Sequence, residues 1–126
     1  MMDTNFNALS ELDLFQCLEH AHIQFKYWHH ETTSYAEHQA TGGFYDSLAD
    51  LSDGLVETYI GCYGRTNQDF GMKFKAYTEG CTTKYLEFFT EKMKKHQEEI
   101  KDSAINNIID EIVALAKKTK YLLTLK

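Results

Sequence analysis

Three observations predict an all-α fold of four helices in one domain. The chain has 126 residues and no proline, so nothing in it blocks long helices. Its glycines sit mostly at Gly42-Gly43, at Gly54 and between Gly61 and Gly80, leaving breaker-free runs on either side. Apolar residues then recur at three- and four-residue steps in four stretches, the period of amphipathic helices. A chain of this length folds around a single core, so residues 1–126 are read as one domain. Two up-down hairpins are joined by a long crossover between the second and third helices.

Ser10 and Asp13 supply a capped start for the first helix, which runs to about His30. Its buried stripe is Leu14, Phe15, Leu18, His22, Phe25 and His29. A polar break at Glu31-Thr32-Thr33-Ser34 follows, and Ser34-Tyr35-Ala36-Glu37 reads as a capping box that puts His38 in the first turn of helix two. That helix continues to a stop near Gly61 or Gly64. Inside it, Gly42 and Gly43 each cost about 1 kcal/mol relative to alanine, an expense that predicts close approach of a partner at a dimer seam. Arg65 to Gly80 has no sustained period and is too long for a bundle hairpin. It is therefore expected to cross the length of the bundle, with Phe70, Phe74 and Tyr77 packing as a half-helix. Helix three starts after Cys81 and Thr82 and buries Tyr85, Phe88, Phe89, Met93 and His96. Asp102 or Ser103 caps helix four, whose stripe is Ile105, Ile108, Ile109, Ile112, Leu115, Ala116 and Leu122.

Composition excludes several functions. A net charge of −6 argues against a nucleic-acid partner, because phosphate binding needs concentrated positive charge. Lys117, Lys118, Lys120 and Lys126 are read instead as complementing the negative end of the last helix dipole. No apolar run approaches the roughly eighteen residues a membrane span needs, and no basic-then-apolar leader opens the chain. Cys17, Cys62 and Cys81 form no metal-binding or disulfide pattern, which fits a reduced, cytoplasmic setting.

The chemistry-bearing residues cluster between His22 and Gly61. His29 and His38 flank the polar break, and Asp53 and Glu57 stand four apart, neighbours on one helix face. Imidazole and carboxylate together suit iron, zinc or manganese. Fifteen residues separate His38 from Asp53, roughly 22 Å along a helix. If the four share a metal, two chains must meet antiparallel, each bringing its histidines to the other's carboxylates across a two-fold axis. The plainer readings are a solvated acidic face for Asp46, Asp50, Asp53 and Glu57, and satisfied core histidines for His22 and His29. Glu19 and His22 form an E-x-x-H that, with Asp46, makes a weaker site within one chain.

Trp28-His29, His38 and Asp53-Gly54-Leu55-Val56-Glu57 resemble the ferroxidase centre of the Dps branch of the ferritin-like proteins, the miniferritins. The His38-to-Asp53 interval matches in full, and the glycines at Gly61 and Gly64 resemble the stretch that ends that family's second helix. Here the Trp-His order is reversed, and the nine residues between His29 and His38 imply a shorter loop than usual. The family's usual Ala-Glu-Arg after the aspartate is absent. The resemblance implies a ferritin-like four-helix bundle and a ferroxidase that binds iron between subunits and oxidises Fe(II) with peroxide or oxygen. It further implies a homo-oligomer, at least a two-fold dimer and up to a dodecameric cage. It does not carry over DNA binding, since the first lysine, Lys26, already lies within helix one. The rival expectation is a ferritin-like structural or binding module, of the kind some bacteriophages encode, without iron oxidation.

Overall fold

The computed structural model describes residues 13–126. Among these residues the protein is a four-helix bundle without strands: α1 (Leu14–Glu31), α2 (Tyr35–Tyr63), α3 (Cys81–Glu99) and α4 (Ser103–Leu122). Asp13 caps α1, accepting from the Gln16 amide at 2.9 Å while the Gln16 side chain accepts from the Asp13 amide. Ser10 lies outside the described residues. Ser34 caps α2 through the Glu37 amide, and Asp102 caps α4 through the Ile105 amide at 3.0 Å. A break at Ile100–Asp102 separates α3 from α4, closed by the Gln97 amide donating to the Asn106 carbonyl and the Asp110 carboxylate.

Ring contacts fix the directions of the helices. Phe15 meets Tyr59 at 5.0 Å and Phe25 meets Phe44 at 4.5 Å, so α1 and α2 are antiparallel. Lys120 pairs with Glu87 at 2.8 Å across α4 and α3, and the Cys62 thiol donates to Asp102 across α2 and α4. Around the bundle the neighbours run α1, α2, α4, α3 and back to α1. Trp28, Phe25, Phe44, Leu48, Tyr85, Phe89, Met93, Ile105, Ile109 and Ile112 fill the middle. Burial there pushes the Cys17 thiol up to about 12, so it stays protonated. Phe88, expected inside, is 48% exposed, because it lies off the Tyr85–Phe89–Met93 stripe.

Residues 64–80 run up the bundle alongside α1 without forming a helix. A half-helix around Phe70, Phe74 and Tyr77 was the expectation. Instead, irregular backbone is held by side chains of α1. His20 meets the Lys73 carbonyl at 2.8 Å, and Gln24 grips Lys75 at both its amide and its carbonyl. Trp28 Nε1 donates to the Lys75 carbonyl at 2.9 Å, and Glu31 accepts from the Tyr77 amide. Buried polar groups must be satisfied, and here the exchange is mutual: the strap lacks ladder partners, and the polar side chains of this helix face find theirs in its backbone. Gly64 (φ 91°) and Gly80 (φ 81°) bracket the strap in left-handed backbone that side chains resist.

Two half-buried or buried histidines make stability pH-dependent. Burial holds His20 and His96 below the ordinary imidazole value of 6.5, partly offset at His20 by its bond to Lys73; at His96, Lys92 pushes further down and Glu99 pulls up. Below 6.5 the unfolded chain therefore binds protons that the folded chain refuses, so stability is full above that pH and falls as acidity increases. Asp102, held below its ordinary 3.8 by the Ile105 amide, acts only at lower pH still. Thermal melts followed by circular dichroism are expected to show Tm falling as pH drops from about 7 to about 5, with a shallower slope in His20→Gln. Identical slopes in the two proteins would refute the assignment to His20.

Candidate metal centre

The short turn after α1 brings His29 and His38 face to face. Their rings stack with centroids 3.8 Å apart and 17° between planes. Each Nδ1 meets the other residue's main-chain carbonyl, His29 Nδ1 at 2.6 Å from the His38 oxygen and His38 Nδ1 at 2.9 Å from the His29 oxygen. A carbonyl only accepts, so both Nδ1 atoms must donate. In the neutral form the lone pair of each ring then sits on Nε2. Metal-binding histidines are characteristically held this way, with the non-ligating nitrogen anchored to a backbone oxygen.

Gly42 makes the stack possible. A Cβ there would come within 2.8 Å of His29 Cε1, whereas one at Gly43 meets nothing within 4 Å. Within the chain the group that approaches closely is His29, and it approaches Gly42 alone. Alanine gains about 1 kcal/mol of helix propensity at either site, while overpacking costs about 1–3 kcal/mol. Gly43→Ala is therefore expected to stabilise the protein by about 1 kcal/mol and Gly42→Ala to destabilise it by a similar amount. Urea denaturation reads both signs, and two stabilised variants would contradict the packing at Gly42.

Tyr45 lies against both His29 (centroids 5.4 Å) and His22 (5.7 Å), extending the row of rings along the α1/α2 surface. Further down, Glu19, His22 and Asp53 border a shallow hollow of about 230 Å³ floored by Ala49, Ser52 and Val56. Asp46 is exposed and does not border it. Asp53 and Glu57 are exposed as well, and α2 is unbroken from His38 to Asp53, so roughly 22 Å of helix separates histidines from carboxylates within one chain. Among the described residues no three His, Cys, Asp or Glu side chains converge as a metal-binding group. The structure brings His29 against His38, while Glu19, His22 and Asp53 only border one hollow without converging; it does not bring the two sets together.

Glu37 differs from its sequence reading. Rather than turning back to the Ser34 amide, its carboxylate accepts from the hydroxyls of Thr32 (2.8 Å), Thr82 (2.6 Å) and Tyr77. The Tyr77 hydroxyl is raised above its usual range by that bond to Glu37. Hairpin turn, strap and α3 are thereby tied at the end of the bundle that carries the histidine pair. His20 and Gln24 were also missed as structural residues. Their signal was polar side chains at i and i+4 ahead of Trp28 on an otherwise apolar face, which calls for polar backbone opposite.

Residues 29–123 match the model of a family of unknown function, DUF5856. The chain belongs to this family. The DUF5856 match begins at His29 and takes in the histidine pair, Asp53, Glu57, the strap and both later helices. The chain is also 32% identical over 107 residues to the "Uncharacterized 14.6 kDa protein in mobD-ri intergenic region" of Enterobacteria phage T4. That match covers 84% of this chain and 81% of the phage protein. No solved structure matches the chain. Among the described residues, no helix is long and apolar enough to cross a membrane.

Proposed function

We propose that this DUF5856 chain is a Dps-like ferroxidase with a ferritin-like bundle, which binds Fe(II) between paired copies and oxidises it with peroxide or oxygen. The observation that carries the reading is the stacked His29–His38 pair, anchored through Nδ1 and offering Nε2. Iron is the substrate. The two imidazoles bind it, and Asp53 and Glu57 of a second copy neutralise its charge. Electrons pass from Fe(II) to the oxidant, and the ferric product is held or released. Zinc or manganese suits the same donors. What supports pairing is the α1/α2 surface, with half-buried histidines at one end and exposed carboxylates at the other, an arrangement suited to an antiparallel dimer. A larger cage, up to twelve copies, is the extended form of this proposal, working in a reducing cytoplasm.

The test is anaerobic Fe(II) titration followed by peroxide, with ferric absorbance as the signal. The wild type is expected to give it, and Asp53→Ala and His38→Ala are expected to lose it with helix content unchanged. The second reading, a structural or binding module without iron chemistry, is favoured by the lack of a three-ligand group among the described residues of one chain. It gains if the wild type gives no ferric signal; metal binding without oxidation would point to a dimer held by zinc. Light scattering separates monomer, dimer and cage.

A further inference from the structure

Deep between α1, α3 and the strap, Tyr85 is 0% exposed and its hydroxyl lies 2.7 Å from His20 Nδ1. His20 Nε2 is committed to the Lys73 carbonyl, which can only accept, so Nε2 carries the proton and Nδ1 receives the Tyr85 hydrogen bond. Phe74 stacks over the imidazole at 4.7 Å and covers it. Trp28 meets the Tyr85 ring at 5.6 Å, and Phe25 meets it at 5.4 Å. This arrangement exceeds what packing requires: a phenol, a base aligned on its O–H, and a fixed acceptor behind the base.

We propose that Tyr85 and His20 form a proton-coupled redox pair that takes up an oxidising equivalent from one-electron oxidants of the kind peroxide chemistry generates. An electron leaves the Tyr85 ring for the oxidant, which is reduced by one electron, as hydroxyl radical is to hydroxide. The Tyr85 O–H bond breaks, and its proton forms an N–H bond at His20 Nδ1. The products are a neutral tyrosyl radical and a His20 imidazolium, whose two N–H groups point at the phenoxyl oxygen and the Lys73 carbonyl. A one-electron reductant of the thiol or ascorbate class returns the electron, and the proton moves back. Burial supports this route over an ionic one: it drives the Tyr85 hydroxyl well above its ordinary value, so the phenolate is inaccessible. The enclosed ring is also shielded from coupling to another radical. The inference stands apart from the iron reading, since any one-electron oxidant suffices.

The experiment uses the full chain with photogenerated ruthenium(III) tris-bipyridyl as oxidant, persulfate as electron sink, and freeze-quench electron paramagnetic resonance. A persistent tyrosyl signal is expected, absent in Tyr85→Phe and retained in Tyr27→Phe and Tyr121→Phe, which alter exposed rings. His20→Gln keeps an acceptor but loses the base, and formation of the signal is expected to slow at least about 100-fold. In the wild type, ¹⁵N-histidine labelling is expected to replace the weak ¹⁴N coupling of the radical by a ¹⁵N one in the pulsed (electron spin echo modulation) spectrum, a readout that needs no variant to fold. A persistent signal surviving in Tyr85→Phe, or a wild-type spectrum unchanged by the label, would overturn the proposal.

Discussion

Trp28→Ala is expected to cost about 3–5 kcal/mol, a large share of the about 5–15 kcal/mol that holds a domain together. Trp28 is fully buried, its ring packs against Phe25 and Tyr85, and its indole N–H satisfies the Lys75 carbonyl. The substitution opens a cavity and also withdraws one of the strap's anchors. Trp28→Phe retains most of the ring volume and loses the N–H, so it isolates the hydrogen bond at about 1 kcal/mol. Urea denaturation of the pair measures the difference. Equal losses in both variants would show that the indole N–H dominates, against this account.

Glu37→Ala comes next. Three hydroxyls lose their acceptor at once, from the hairpin turn, the strap and α3. Bonds to a charged acceptor are worth more than neutral ones, so a loss of about 3 kcal/mol is expected. Glu37→Gln keeps one acceptor oxygen and is expected to lose about half as much. Because His38 follows directly, Glu37→Ala is also expected to loosen the histidine stack, visible as shifted imidazole Cε1–H resonances. Loss of stability with unmoved resonances would separate the latch from the pair.

How much of this was legible in the sequence differs by element. The helices and caps were, because the absence of proline, the three-and-four periodicity and the residues Asp13, Ser34 and Asp102 are local signals. The pairing of His29 with His38 followed from their position on either side of one short turn. The strap was not legible, since its backbone is satisfied by side chains 46 to 53 positions away, a relation no local window contains. Glu37 was misassigned for the same reason: its capping-box spacing is a local cue, and two distant hydroxyls, of Tyr77 and Thr82, together with the nearby one of Thr32 outcompete it. Gly42 carried the right signal, close approach, but spacing alone does not tell whether the approaching group belongs to the same chain. The separation of Asp53 and Glu57 from the histidines was plain from helical rise, and a second molecule remains the proposal that joins them.

The strap is gripped by its amides and carbonyls, and Lys73, Lys75 and Ala76 are exposed. Selection acting on those exposed positions can therefore rewrite a stripe of the exterior without disturbing the register, whereas His20, Gln24, Trp28 and Glu31 are tied to the path the backbone takes. Relatives are accordingly expected to vary in what this edge displays while keeping the fingers that hold it.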